Sequence, residues 1–190
     1  MHSLSHLAAL ASCAGVLASF MDVQAPVVKF FDEPLLDSAG APVSTGVPYN
    51  LECAIGNIKI VRYGDGWDYL QAGSGKDMLF TFELCKDNSC EGRSIVDAGD
   101  TVFFKLPDRP SDESRIGFVK TDGDFHWWPT SRSPAFAEPF VFKKVLGNNV
   151  YAIQYAIEPY FLTKSPDITA LEMRSMGVGR TLNCQLDRVE

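Results

Sequence analysis

The sequence predicts an all-β fold with a threefold internal repeat. From Tyr49 onward, short runs of β-branched and aromatic residues alternate with Gly, Pro, Asp and Asn turns, and almost no helical periodicity accompanies them. The runs fall into three groups of four, and the groups begin about fifty residues apart, at Tyr49, Thr101 and Val150. We therefore expect a β-trefoil, in which six strands close into a barrel and three hairpins cap one end. An open sandwich with the same number of strands is the alternative.

Twelve strands are predicted in chain order. The first group covers residues 49–54, 57–63, 68–72 and 79–85; the second covers 101–106, 115–121, 125–129 and 140–145; the third covers 150–156, 160–164, 169–174 and 181–189. Each group consists of a first strand, a polar hairpin pair and a strongly apolar fourth strand. This correspondence between the groups supports the repeat, although their sequences are only faintly similar.

The chain begins with an apolar stretch, Leu4 to Met21, that is rich in Ala, Leu and Ser. It is short for a membrane span, and Val23-Gln24-Ala25 resembles the small-residue site at which a secretory signal is cut. We therefore expect residues 1–25 to be a signal peptide and residues 26–190 to form a single secreted β-trefoil domain. An N-terminal anchor or a disordered leader is the alternative. No second apolar stretch is long enough to cross a membrane.

The cysteines agree with export. Four of the five lie beyond the predicted leader, at positions 53, 85, 90 and 184. An even number in a secreted chain predicts two disulfides, with three possible pairings. In a β-trefoil the first and last barrel strands are antiparallel neighbours, which brings Cys53 close to Cys184, and Cys85 and Cys90 then bridge the base of a loop. Buried free thiols at 53 and 184 are the alternative.

Charge and residue content exclude several functions. The formal net charge of −7 argues against binding to a nucleic-acid backbone. His126 is the only histidine beyond the leader, no nucleophile motif lies near it in the sequence, and no Cys/His spacing suits zinc. We therefore expect no enzyme activity and no metal or cofactor. The expected partner is a protein, bound by a monomer.

The stretch from Leu35 to Leu51 resembles the N-terminal signature of the plant Kunitz (soybean trypsin inhibitor) family. The signature reads apolar-x-Asp-x-x-Gly-x-x-apolar, then five residues, then Tyr-x-apolar, and the matching positions are Leu35, Asp37, Gly40, Val43, Tyr49 and Leu51. Ala39 and Ala41 depart from the pattern, and the family's usual disulfides pair differently. The resemblance implies a β-trefoil and indicates a distant member of the family.

The resemblance also implies a protease-binding segment in the loop after the fourth strand. In this chain that loop runs from Lys86 to Asp100 and contains Gly92-Arg93-Ser94-Ile95. Arg93 is the expected specificity residue, which enters the acidic pocket of a trypsin-like serine protease. A rigid, extended loop would lower the ordering cost of binding. The alternative is that Gly-Arg-Ser is an ordinary solvated turn.

Two other binding functions are left open. Trp67, Trp127 and Trp128 fall in predicted hairpins, where β-trefoil lectins stack sugars on aromatic side chains. The Gln-x-Trp motif of ricin-type lectins is absent from the sequence, and hairpin aromatics are also ordinary core residues. The remaining possibility is a secreted interaction or effector protein without inhibitory activity.

Overall fold

The computed structural model describes residues 33–62, 68–73, 79–87, 89–109, 115–121, 124–130, 137–145, 149–164, 171–175 and 181–190. The chain divides between Phe30 and Phe31 into two units, and all the described residues belong to the second, Phe31–Glu190. The predicted signal peptide, residues 1–25, lies outside the described residues. Within the described ranges there is no helix of the length and hydrophobicity that crossing a membrane requires.

The described chain is built from twelve strands, and each predicted strand is confirmed with bounds that differ by at most two residues at either end. They are β1 (Pro48–Cys53), β2 (Gly56–Arg62), β3 (Asp68–Gly73), β4 (Thr81–Cys85), β5 (Thr101–Lys105), β6 (Arg115–Thr121), β7 (Asp124–Thr130), β8 (Phe140–Lys144), β9 (Tyr151–Tyr155), β10 (Tyr160–Lys164), β11 (Leu171–Ser175) and β12 (Asn183–Arg188).

Six of these strands close into a barrel. Antiparallel pairing runs from β1 to β4, β5, β8, β9 and β12 and returns to β1. The first and fourth strands of each sequence group thus form the barrel, and the hairpins β2–β3, β6–β7 and β10–β11 are formed by the middle pairs. Because the pairing returns to its starting strand, the β-trefoil prediction is confirmed and the open sandwich is excluded.

Aromatic side chains fill the barrel. Along β1 the buried positions alternate, and Tyr49, Leu51 and Cys53 face inward. The fully buried Phe104 of β5 makes edge contacts with Phe82 and Phe140, at ring-centroid distances of 4.8 and 5.1 Å. Edge-to-face packing of this kind adds to the free energy gained by burying the rings. The apolar fourth strands of the sequence repeat therefore supply the core.

The signature residues before β1 build an exposed turn around a buried carboxylate. Asp37 is only 1% exposed, and its Oδ1 accepts a hydrogen bond of 2.8 Å from the Ala41 amide. Gly40 completes the turn with a φ of +84°, which glycine adopts without strain. The buried carboxylate is also paired, because Arg188 Nε lies 3.4 Å from Asp37 Oδ2. Asp37 thereby joins the start of the fold to its last strand.

Two disulfides link the described cysteines. Cys53 of β1 lies directly opposite Cys184 of β12 in the antiparallel register, and a disulfide joins them. The second bridge joins Cys85, the last residue of β4, to Cys90 in the following loop. The first bridge fastens the two ends of the barrel sequence together, and the second closes a short ring at the base of one loop.

Candidate functional site

The β4–β5 loop, residues 86–100, projects an exposed segment from the barrel. Residues 91–95 are all exposed, and Ile95 retains 51% of its accessible surface. Within the part of the chain that the structure describes, the Arg93 guanidinium forms no hydrogen bond or ion pair. The side chain predicted from the sequence to be the specificity residue is therefore presented to solvent and is available to a partner.

A buried threonine holds the backbone on both sides of Arg93. Thr45 is 5% exposed, and its Oγ1 donates a hydrogen bond of 3.1 Å to the Gly92 carbonyl. The same oxygen accepts a hydrogen bond of 2.9 Å from the Ser94 amide. The Thr45 amide in turn donates to the Ser94 carbonyl at 2.9 Å. One residue outside the loop thus fixes both peptide units of Arg93.

After Arg93 the loop is extended and paired. Ile95 forms an isolated antiparallel bridge with Ser44, and the Val96 amide donates to the Val43 carbonyl at 3.0 Å. The Val43 amide donates to the Leu35 carbonyl at 2.8 Å, and the Leu35 amide donates to the Val96 carbonyl at 2.8 Å. The three backbones therefore form a closed cycle of hydrogen bonds, which we call the backbone cycle. Its three side chains are at most 1% exposed.

Before Arg93 the loop is a compact turn. Asp87 Oδ1 accepts hydrogen bonds from the amides of Ser89 and Cys90, at 2.9 and 3.0 Å. Cys90 has a φ of +56° and Gly92 a φ of +79°, so the chain leaves the extended region twice before it reaches Arg93. The expectation of a loop extended throughout is therefore met only on the side that follows Arg93.

A salt bridge joins the two ends of the loop. Lys86 Nζ lies 2.8 Å from Asp100 Oδ2, and the same oxygen accepts a hydrogen bond of 2.9 Å from the Asp97 amide. The loop is therefore held at its ends by Asp100, at its base by the Cys85–Cys90 disulfide, and at its centre by Thr45. This bracing leaves few backbone degrees of freedom to be lost on binding.

Sequence reasoning predicted the loop but missed Thr45. The residue lies inside the stretch that resembles the Kunitz signature, at a position that the signature does not specify. Its hydrogen-bond partners are 47 and 49 residues away along the chain, so no local pattern indicates the contact. The one available signal is the small polar residue itself, in a Pro- and Gly-punctuated segment just before a strand.

Two of the three tryptophans, Trp127 and Trp128, lie away from this loop in the sequence, on the β6–β7 hairpin. Trp127 and Trp128 are in β7, where they pair in register with Phe118 and Gly117 of β6. Trp67 lies outside the described residues. The predicted sugar-binding role of these residues stays a prediction.

Comparison with solved structures identifies proteins of the same fold. The double-headed arrowhead protease inhibitor A, solved in complex with two trypsins, matches 83% of this chain and 100% of its own, with a TM-score of 0.65 and 13% identity. A water-soluble chlorophyll protein from Brassica oleracea var. Botrytis, with chlorophyll b, matches 83% of this chain and 99% of its own, with a TM-score of 0.62 and 13% identity. A Kunitz-type cysteine protease inhibitor from potato matches 84% of this chain and 98% of its own, with a TM-score of 0.60 and 11% identity.

No protein-family model matches the sequence, and no curated protein matches it. At identities this low the structural likeness shows the fold alone. The chain has the β-trefoil fold found in Kunitz-type inhibitors, as its N-terminal signature predicted. Proteins with this fold include protease inhibitors and a chlorophyll protein, so the function must be argued from the site.

Proposed function

We propose that this protein is a secreted, non-enzymatic inhibitor that binds a trypsin-like serine protease through the β4–β5 loop. Arg93 enters the acidic specificity pocket of the protease, with Gly92 before it and Ser94 and Ile95 after it. One observation carries the proposal: the buried Thr45 hydroxyl holds the peptide groups on both sides of an exposed arginine whose charge is unpaired among the described residues.

That geometry suits inhibition because binding costs little entropy. A flexible peptide must be ordered before it fits a protease cleft, whereas this segment is already held in one conformation. The bond between Arg93 and Ser94 is the one that a trypsin-like enzyme would attack. If it is cut, Thr45 still holds the Gly92 carbonyl on one side and the Ser94 amine on the other. The new ends stay together, which favours religation over release.

The chain on either side of Arg93 contributes differently to this mode of binding. The extended residues after Arg93 can lie along a protease cleft as a short strand. Before Arg93 the chain turns at Gly92, so fewer contacts are expected there. The predicted interface is therefore centred on Arg93, Ser94 and Ile95.

Secretion is supported by two features. The apolar stretch at Leu4 to Met21 has the composition of a signal peptide. The described cysteines are paired in two disulfides, which persist in oxidising compartments and are rare in the cytosol.

A charge reversal at Arg93 tests the function. Inhibition constants of the wild type and of Arg93→Glu are measured against a panel of trypsin-like proteases. The variant should bind roughly a thousandfold more weakly, because a single anchor side chain in a specificity pocket carries much of the binding free energy. Lys143→Glu is the matched control, since it makes the same charge change at an exposed position of β8. Equal inhibition by wild type and Arg93→Glu would refute the proposal.

Adding Trp127→Ala to these variants distinguishes sugar binding from protease inhibition. A lectin that uses Trp67, Trp127 and Trp128 would lose binding on a glycan array when Trp127→Ala is introduced, and Arg93→Glu would have no effect there. The inhibitor proposal expects the reverse, with protease inhibition unchanged in Trp127→Ala. If neither substitution matters in either assay, the result favours an interaction or effector protein without inhibitory activity.

A further inference from the structure

Two outward-facing side chains in the β4–β5 loop have different chemistry. In an extended segment, side chains two residues apart point the same way and their neighbours point the other way. Val96 is 1% exposed and faces the core, whereas its neighbour Ile95 is 51% exposed and faces outward. Arg93, two residues before Ile95, is exposed as well. The loop thus exposes a cation and a large aliphatic group two residues apart, which is about 7 Å along an extended chain.

Few of the side chains that the structure describes are as apolar and as exposed as Ile95. Among those side chains only three large hydrophobic ones are exposed, namely Ile55 at 37%, Ile95 at 51% and Ile157 at 68%. Ile95 is the one that lies in the β4–β5 loop. Its backbone is bridged to Ser44, and the next amide is bonded to Val43. The side chain therefore cannot turn inward without breaking those contacts.

We propose that Ile95 is a second specificity residue of the loop and selects proteases that have an apolar depression beside the acidic pocket. The depression lies about 7 Å from that pocket, on the leaving-group side of the scissile bond. This inference rests on the proposed function and narrows it. The preferred targets are trypsin-like proteases whose cleft offers aliphatic or aromatic side chains at that point.

The physical basis is differential burial. Arg93 supplies affinity to any protease with an acidic pocket, so it does not distinguish between such enzymes. Ile95 gains affinity in proportion to the apolar area that the partner covers. Against a protease with a polar or charged surface at that point, the isoleucine gains little. The residue should therefore change the ratio of affinities between two proteases more than it changes inhibition as such.

The experiment compares four proteins: the wild type, Ile95→Ala, Ile157→Ala and Arg93→Glu. Ile157→Ala is the matched control, because it makes the same truncation at a still more exposed isoleucine outside the loop. Inhibition constants are measured against trypsin-like proteases whose leaving-group subsites are apolar or acidic. We expect Ile95→Ala to raise the constant roughly tenfold to a hundredfold for the apolar class and much less for the acidic class. Ile157→Ala should change neither.

These measurements separate the role of Ile95 from the inhibitory function itself. If Arg93→Glu abolishes inhibition and Ile95→Ala leaves every constant unchanged, the role of Ile95 is refuted and the inhibitor stands. If the wild type inhibits none of the proteases, or Arg93→Glu inhibits as well as the wild type, both proposals fall. Ile95→Lys is a second test. If Ile95 sets specificity, this variant should bind proteases with acidic leaving-group subsites better, relative to those with apolar subsites, than the wild type does. Thermal unfolding midpoints equal to that of the wild type show that the variants are folded.

Discussion

Cys53 and Cys184 face each other across β1 and β12, and the disulfide between them joins residues 131 positions apart in the sequence. The Cys85–Cys90 disulfide spans only 5 positions. The two bridges thus close loops of very different length in the unfolded chain. Since a disulfide stabilises in part by restricting the unfolded state, their contributions to stability should differ.

Removing the long-range disulfide should therefore cost more stability than removing the short one. The loop-entropy model predicts a loss of about 5 kcal/mol for Cys53→Ala with Cys184→Ala, and about 2 kcal/mol for Cys85→Ala with Cys90→Ala. Urea unfolding of the two double variants beside the wild type gives both values. Equal losses would show that loop length does not control the effect.

Thr45→Val should weaken inhibition while the fold is retained. The substitution keeps the side-chain shape but removes the oxygen that bonds to Gly92 and Ser94. We expect the inhibition constant to rise roughly tenfold to a hundredfold, because the backbone released around Arg93 must then be ordered when the protease binds, at about 1–2 kcal/mol per residue. Cleavage at the Arg93–Ser94 bond should also become faster, which mass spectrometry detects.

Two controls accompany this substitution. Thr45→Ser keeps the hydroxyl and should inhibit like the wild type. Thr163→Val alters the other threonine that is buried among the side chains the structure describes, and it should affect stability without affecting inhibition. If Thr163→Val weakens inhibition as much as Thr45→Val does, the effect is one of general destabilisation.

Mild reduction should open the Cys85–Cys90 bridge first. Cys90 is half-buried, whereas Cys53 and Cys184 are 6% and 1% exposed, and thiol–disulfide exchange requires access to a sulfur. A dithiol reductant that opens the bridge leaves two thiols and is itself oxidised to a cyclic disulfide. Alkylation and peptide mapping at increasing dithiothreitol should label 85 and 90 before 53 and 184. Simultaneous labelling would contradict the difference in access.

Tyr155 should make the fold sensitive to alkaline pH. Burial, and then the hydrogen bond of 2.9 Å that its hydroxyl donates to Glu138 Oε2, raise the pKa of Tyr155 above the usual value for tyrosine. The stabilising contribution is therefore complete below the unfolded-state pKa of about 10 and is lost as the pH rises beyond it. Urea midpoints between about pH 9 and pH 11 should fall more steeply for the wild type than for Tyr155→Phe. Parallel slopes would exclude this role.

The strands and the barrel could be predicted from the sequence because residue types and their spacing along the chain indicate both. Turn residues mark the strand ends, and the apolar fourth strands recur with the repeat. The proximity of Cys53 and Cys184 followed from topology, since the first and last strands of a closed barrel must pair. The position of Arg93 in the loop after β4 followed from the predicted strands, and the Kunitz resemblance supplied only the role proposed for that loop.

Apart from the Cys85–Cys90 disulfide, the supports of the loop could not be predicted from the sequence. The contacts of Thr45 join segments that are remote in the sequence, and a hydroxyl at that position has no distinguishing pattern. The turn before Arg93 was also missed. Gly92 is a natural residue for a positive φ, but Cys90 adopts a φ of +56° without any sequence signal. The hydrogen bonds of Asp87 and the disulfide to Cys85 hold it there.

The backbone cycle through Leu35, Val43 and Val96 has a consequence for protein engineering. Three stretches of chain, brought together only by folding, jointly determine the shape of the exposed segment. Moving residues 89–98 alone into a recipient scaffold would leave Leu35 and Val43 behind, along with Thr45, and the transplanted piece would relax. A graft that retains the presentation of Arg93 has to carry residues 33–36 and 43–45 as well, so the transferable unit is discontinuous.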